Sequence, residues 1–419
     1  MTKFEELLKE YCPNGVEYTT VGEIVQVNRG RRLTKSQLND NFKYEVYHGS
    51  KDSILGKYND FNAPENTVIV VNTGGIGGVK FLPYKFWCSD GSFWLGQSDK
   101  VISKYLYYCL SGYEDYFYSK KRVGGVPTID KFVIEEFKIP LPALPVQREI
   151  VRVLDGFTLY SQELTAELTA RCKQYEYYRD KLLTFEKSEV KNYILGDIAT
   201  VTKLAGFEFT KYVVYSDEGK IIALRGLNVK NGKLDLSDVK YIDNSDLSKL
   251  NRSKLYIGDM LFTYVGTIGQ VALVEEDNKY YLAPNVALIR CDKTILMPEY
   301  MRYYFQSNQF WQQQINRLLQ SSSMQNIPMD KIRKFEIKVP SISVQERIVN
   351  VLDNFDKICS DLKIGLPAEI EKRQEQYEYY RDKLLTFDNE SATILYRQTD
   401  RQTDRQTDRQ TDRQTDRAN

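Results

Sequence analysis

The twelve residues QYEYYRDKLLTF occur twice, at 174 to 185 and again at 376 to 387. A verbatim repeat fixes the number of structural units before any secondary structure is assigned, because a repeated sequence specifies a repeated supersecondary unit. A second matching block stands upstream of each copy. Val146 to Val151 with Val153-Leu154-Asp155 matches Val344 to Val349 with Val351-Leu352-Asp353. The twelve-residue copies are offset by 202 positions and the upstream blocks by 198. The second copy therefore carries about one extra helical turn, or a small loop, between its blocks.

Both block pairs read as long helices. Ile150, Leu154, Phe157, Leu164, Leu168, Tyr175 and Leu182 recur at helical spacing. So do Ile348, Leu352, Phe355, Cys359, Leu362, Leu366, Ile370, Tyr377, Tyr380 and Leu384. Two such stripes in one chain are expected to bury their apolar faces against each other as a coiled-coil-like pair. Gly365 and Pro367 interrupt the second stripe, so a break is expected near Leu366, with Pro367 opening a new helix. A continuous helix over 146–185 would be about 60 Å long, more than a domain needs for its own core, and so reads as a spacer.

The regions before the helices also match, more weakly. Val21-Gly22-Glu23-Ile24 matches Leu195-Gly196-Asp197-Ile198, and Gly74-Gly75-Ile76-Gly77 matches Gly266-Thr267-Ile268-Gly269 after apolar runs that look like buried strands entering tight turns. Asp130-Lys131 matches Asp330-Lys331, and Phe137 to Pro140 matches Ile337 to Pro340. The expected fold is α+β: similar mixed α/β domains at 1–145 and 191–341, spacer helices at 146–190 and 342–390 forming an antiparallel coiled coil, and a tail at 391–419. At 419 residues and 42% hydrophobic content the chain can build two cores.

Lys and Arg total 58 against 57 Asp and Glu, so any nucleic-acid surface must be a local patch. No apolar run is long enough to span a bilayer, and the N-terminal residues are charged where a signal peptide would be apolar, which leads us to expect a cytoplasmic protein without membrane attachment. Six cysteines far apart in sequence suggest neither a disulfide framework nor a zinc site. The single histidine, His48, offers no triad or multi-histidine metal centre. No phosphate-binding loop, methyltransferase motif or nuclease constellation stands out.

DNA contact calls for cations at phosphates and for Arg, Lys, Asn and Gln at base edges. The candidates are Arg29, Arg31, Arg32 and Lys35; Lys120, Lys121 and Arg122; and Lys331 and Arg333, with Arg302, Arg317 and Lys334 extending the basic clusters. Gln325 and Asn326 close a glutamine-rich stretch suited to adenine. The turn residues Gly75, Gly77, Thr267 and Gly269 could bring backbone amides to phosphates, while the plainer reading is a tight turn that needs positive φ.

The opening CPNGVEY, the VGEI that follows it, LPVQREIVRVLD, LTAELTA and the doubled QYEYYRDKLLTF resemble Type I restriction-modification specificity subunits over residues 4 to 390. The resemblance implies a non-catalytic chain with two target-recognition domains, double-stranded DNA with a bipartite target, two adenine-methylating modification subunits and two ATP-driven restriction subunits. No cofactor is then expected in this chain, S-adenosylmethionine, ATP and Mg2+ serving the partners. A stand-alone DNA-binding regulator and a coiled-coil adaptor are the competing readings. Thr165-Ala166-Glu167-Leu168 is a one-turn unit whose duplication would add about 6 Å and a rotation of about 40°. In the tail, Arg-Gln-Thr-Asp repeats five times from Arg397 to Asp416, a polar composition expected to be disordered and encodable by a GACA tract, whose gain or loss of a unit would shift the frame.

Overall fold

A computed structural model describes residues 2–122, 124–186, 190–320, 326–361 and 364–387. The repeat tail and Gln325 lie outside these residues. The chain divides into two compact units, one of Met1–Leu164 with the C-terminal segment from Ile370, the other of Thr165–Glu369. No helix among the described residues is long and apolar enough to cross a membrane.

The same sheets are built twice. In the first unit, strands Val27–Arg29, Ser92–Leu95, Thr67–Val71 and Val79–Leu82 form an antiparallel sheet in that order. Gly56–Tyr58, Tyr44–Tyr47 and Trp87–Cys88 form a second sheet whose last pair is parallel. In the second unit the counterparts are Ala199–Lys203, Val286–Cys291, Met260–Thr263 and Val271–Leu273, then Lys240–Tyr241, Ile222–Leu224 and Tyr280–Leu282, again with a parallel last pair. The apolar runs that precede the glycine turns are the central strands, buried at every residue, as their β-branched and aromatic content favours.

The structural register corrects two sequence matches. Ile129 N–H donates to Asn72 O and Ile327 N–H to Tyr264 O, Ile134 and Ile332 are both buried, and Val21 and Leu195 donate to Phe137 O and Phe335 O. Asp130-Lys131 therefore corresponds to Pro328-Met329, two residues before the Asp330-Lys331 pair that it resembles, and Phe137 to Pro140 corresponds to Phe335 to Lys338, two residues before the Ile337 to Pro340 run. Chemical likeness in short stretches misled where buried Ile and Phe set the alignment.

One helix, Leu144–Leu182, contributes its first part to the first unit and its last part to the second. The distal stripe is two helices, Ile342–Ser360 and Leu366–Leu385, with Pro367 in the first turn of the latter. A Cβ at Gly365 would stand 2.5 Å from Lys357 O, so this junction requires glycine. In each unit the two helical segments run antiparallel. Phe157 stacks on Tyr380 with centroids 5.3 Å apart at 24°, and Tyr160 lies under Arg373. In the second unit Phe355 stacks on Tyr178 at 5.6 Å and 23°, and Cys359 neighbours Cys172. The two aromatic stacks are the same contact made twice by equivalent residues of the two blocks. Burial, and then the adjacent Cys172, push the Cys359 thiol up to about 12, which keeps it protonated and a poor nucleophile.

The start of each helix enters its domain core. Val146, Ile150 and Leu154 belong to the first core with Leu384 and Leu385, and Ile348, Val349 and Leu352 to the second with Leu183. A buried glutamine fixes each junction. Gln147 accepts from Ile102 N–H at 2.9 Å and donates to Lys100 O at 3.0 Å and Pro142 O at 2.8 Å. Gln345 accepts from Met297 N–H and donates to Ile295 O and Pro340 O, each at 2.9 Å. Two turns on, Tyr108 and Lys104 bind Asp155, and Tyr303 and Arg302 bind Asp353. Burial first, and then these carboxylates among other neighbours, push both phenols well up, so each remains a neutral donor. Replacing Gln147 or Gln345 with Leu strands one buried N–H and two carbonyls. Each substitution is expected to cost about 2–4 kcal/mol in urea unfolding; a loss under about 0.5 kcal/mol would show that the glutamines do not anchor the helices.

Candidate nucleic-acid interface

Four loops meet at one end of each pair of sheets. In the first unit the turn 72–78 leaves the central strand with Gly74 and Gly77 at φ +83° and +87°. Gly75 N–H donates to Gly49 O at 2.8 Å, which brings in the loop after Tyr44–Tyr47. Asn72 N–H donates to Gly91 O, which brings in 89–91, and Thr73 pairs with Thr128, which brings in 124–128 and, through its own pairing with Thr128, Arg122.

The basic run is gathered onto this rim. Arg29 ends its strand exposed, Arg31 N–H donates to Cys88 O, and a Cβ on Gly30 would lie 2.1 Å from Ser89 O. Arg32 follows, exposed, whereas Lys35 sits apart, on a short 3-10 turn ahead of Leu38, which packs against Gly56. Lys120 and Lys121 follow the helix Glu114–Ser119 and lie over the Tyr116 and Tyr118 rings. Arg122 is exposed but pairs with Asp130 at 2.6 Å.

The second unit repeats the arrangement with other side chains. Gly266 and Gly269 have φ +77° and +86°. Thr267 is exposed at the apex, and Thr263 Oγ1 donates to its carbonyl. Asn326 pairs with Val265, as Thr128 does with Thr73. Arg333 is not on this rim: its guanidinium donates to Val201 O at 2.9 Å, so it braces the domain, and Lys331 lies exposed on the short helix before it. The turn glycines divide by role. Gly75 and Thr267 face solvent, whereas Gly77 and Gly269 are buried under Glu114 O and the Trp311 ring, 2.4 and 2.5 Å from where a Cβ would stand.

Sequence reasoning missed most of the second rim. Strand register makes Lys203 the equivalent of Arg29, through the pairs Arg29–Phe93 and Lys203–Ala287. A cavity of about 780 Å³ lies beside the turn, lined by Phe209, Tyr215, Arg225, Asn231, Gln270 and Asn285 among others. Its mixture of amides, a guanidinium and aromatic faces suits base edges. These residues are single and scattered in sequence; only the glycine after Arg225, matching that after His48, hinted at them. His48 itself lies on the first rim, its Nδ1 accepting from Gly91 N–H at 3.2 Å with Asp90 Oδ1 at 3.3 Å. Among the described residues no cluster of three or more His, Cys, Asp or Glu could hold a metal.

A family model described as Type I restriction modification DNA specificity domain matches residues 13–174 and again 187–372. The chain belongs to that family. The specificity subunit of the Type I restriction enzyme EcoR124I/EcoR124II of Escherichia coli is 29% identical over 398 residues, covering 89% of this chain and 94% of the relative. That of the MjaVIII enzyme of Methanocaldococcus jannaschii is 22% identical over 400 residues, covering 89% and 93%. The crystal structure of a Type I restriction-modification S subunit from M. genitalium shares the fold, with a TM-score of 0.56 at 15% identity over 89% of this chain and 97% of that one. The part played by a member of this family is recognition of a DNA sequence.

The buried glycines are expected to matter for folding and the exposed turn residue not. Gly77→Ala and Gly269→Ala should each cost about 1–3 kcal/mol or more from backbone strain and overlap. Gly75→Ala should cost under about 1 kcal/mol in the same unfolding assay; equal losses at all three would contradict the division.

Proposed function

We propose that the chain reads a bipartite double-stranded DNA target, one half-site per unit, and so directs adenine methylation and ATP-dependent cleavage by partner subunits. The observation that carries this reading is a scaffold built twice with different side chains on its rim. Two readers of one design with unlike surfaces suit two unlike half-sites. S-adenosylmethionine, ATP and Mg2+ belong on this reading to the partner chains, and the protein acts in the cytoplasm with its DNA.

The repeat supports two copies of one partner. Packing accounts for Tyr175 and Tyr377, for Tyr178 and Tyr380, and for the leucines that follow. It does not account for Tyr177 and Tyr379, which are 60% and 61% exposed. A surface duplicated residue for residue fits a pair of modification subunits better than a chain acting alone, and two restriction subunits complete the proposed complex.

The test is methyl-adenine mapping in cells that express the chain with its modification subunit. A split motif that disappears when the chain is omitted is expected; no motif from an active partner would favour a regulator or adaptor. Binding should weaken steeply with salt, as phosphate contacts require. Residues 165–168 lie inside the continuous helix, so inserting a second Thr-Ala-Glu-Leu after Leu168 should widen the recognised gap while leaving both half-sites as they were. An unchanged gap would contradict a spacer role for that helix.

A further inference from the structure

One rim position combines equivalent backbone with unlike chemistry. It follows the central strand of each three-stranded sheet, and strand pairing fixes the equivalence. Tyr47 pairs with Cys88 and accepts from Ser89 N–H at 2.9 Å; Leu224 pairs with Leu282 and accepts from Ala283 N–H at 3.1 Å. The next residue is His48 in the first unit and Arg225 in the second, each followed by a glycine. Both stand beside the glycine turn, His48 through Gly49 O and Gly75 N–H, Arg225 through the cavity that it lines with Gly266 and Thr267.

Neither side chain is used up by its own domain. Arg225 Nη2 donates to the carbonyl and carboxylate of Asp238, at 3.0 and 2.7 Å, which holds the guanidinium in one orientation. Its Nε is buried without an acceptor, and the residue lines the cavity with Nη1 holding no partner among the described residues. Gly91 N–H, Ser89 Oγ and Asp90 Oδ1 all lie against His48 Nδ1, so Nε2 is the ring nitrogen left for an outside partner, and with Nδ1 accepting from Gly91 N–H it is a donor.

We infer that this position is a specificity determinant in both units: Arg225 donates from Nη1, whose two hydrogens its own domain leaves unused, to the N7 and O6 edge of a guanine in the half-site read by the second unit, and His48 donates to a purine acceptor in the other. A guanidinium nitrogen with two hydrogens suits the paired acceptors of guanine in the major groove, and a single imidazole donor discriminates less. The inference rests on the bipartite reading above, and the experiment separates the two.

Methyl-adenine motifs are mapped for the wild-type chain, Arg225→Ala, Arg225→Lys and His48→Ala, each expressed with the modification subunit. Absence of any split motif in the wild type would defeat the bipartite reading itself. Given that motif, Arg225→Ala and Arg225→Lys should each lower the preference for guanine at one position of one half-site by about tenfold or more and leave the other half-site intact. His48→Ala should relax one position of the opposite half-site by a smaller factor. An unchanged motif, changes in both half-sites from one substitution, or loss of all methylation in both Arg225 variants would overturn the assignment, because a base-reading side chain is separable from the scaffold.

Discussion

Each long helix is useful only if its angle to the domain is fixed, and a buried glutamine fixes it. Gln147 and Gln345 satisfy backbone groups from two other segments at the point where the last strand turns into the helix. Those carbonyls and amides have no other way to be paired away from water, so the helix cannot swing without stranding them. The carboxylates two turns on, Asp155 and Asp353, repeat the tie through a tyrosine and a cation. The chain thus conveys orientation from rim to helix through hydrogen bonds made at equivalent positions in both units.

That duplication also explains why a verbatim repeat persists beside domains that otherwise diverge. Each copy of QYEYYRDKLLTF packs in the unit that holds the other copy's upstream block: Tyr380 meets Phe157, and Tyr178 meets Phe355. Both copies therefore face nearly the same surroundings and need nearly the same side chains. The strands and turns share only what the backbone demands. Gly77 and Gly269 are kept where a side chain would collide with a neighbouring helix, whereas the exposed Gly75 and Thr267 differ.

The sequence shows what is enforced by packing and hides what is left to solvent. The doubled blocks, the apolar strands, the glycine turns and the break before Pro367 are legible because burial and backbone geometry restrict the residues allowed there. Clusters of charge were less informative. Arg29, Arg31 and Arg32 reach the rim, yet Arg333, chemically their equal, braces Val201 O. Arg225, Lys203 and Gln270 stand alone in sequence and join the second rim only through strand register and loop closure. The matches over 130–131 and 137–140 both slipped by two residues, since likeness of short motifs carries no strand register, which backbone pairing alone sets.

The central claim is that each unit carries its own reader on a common scaffold. The most direct test replaces residues 195–335 with 21–137, joined where both units place the same donors to Phe137 O and Phe335 O, so that the first reader occurs twice. Methyl-adenine mapping with the modification subunit should then reveal a split target whose two half-sites are one sequence, the half-site of the first unit. Retention of the original second half-site would contradict the account, because specificity would then reside outside the rims.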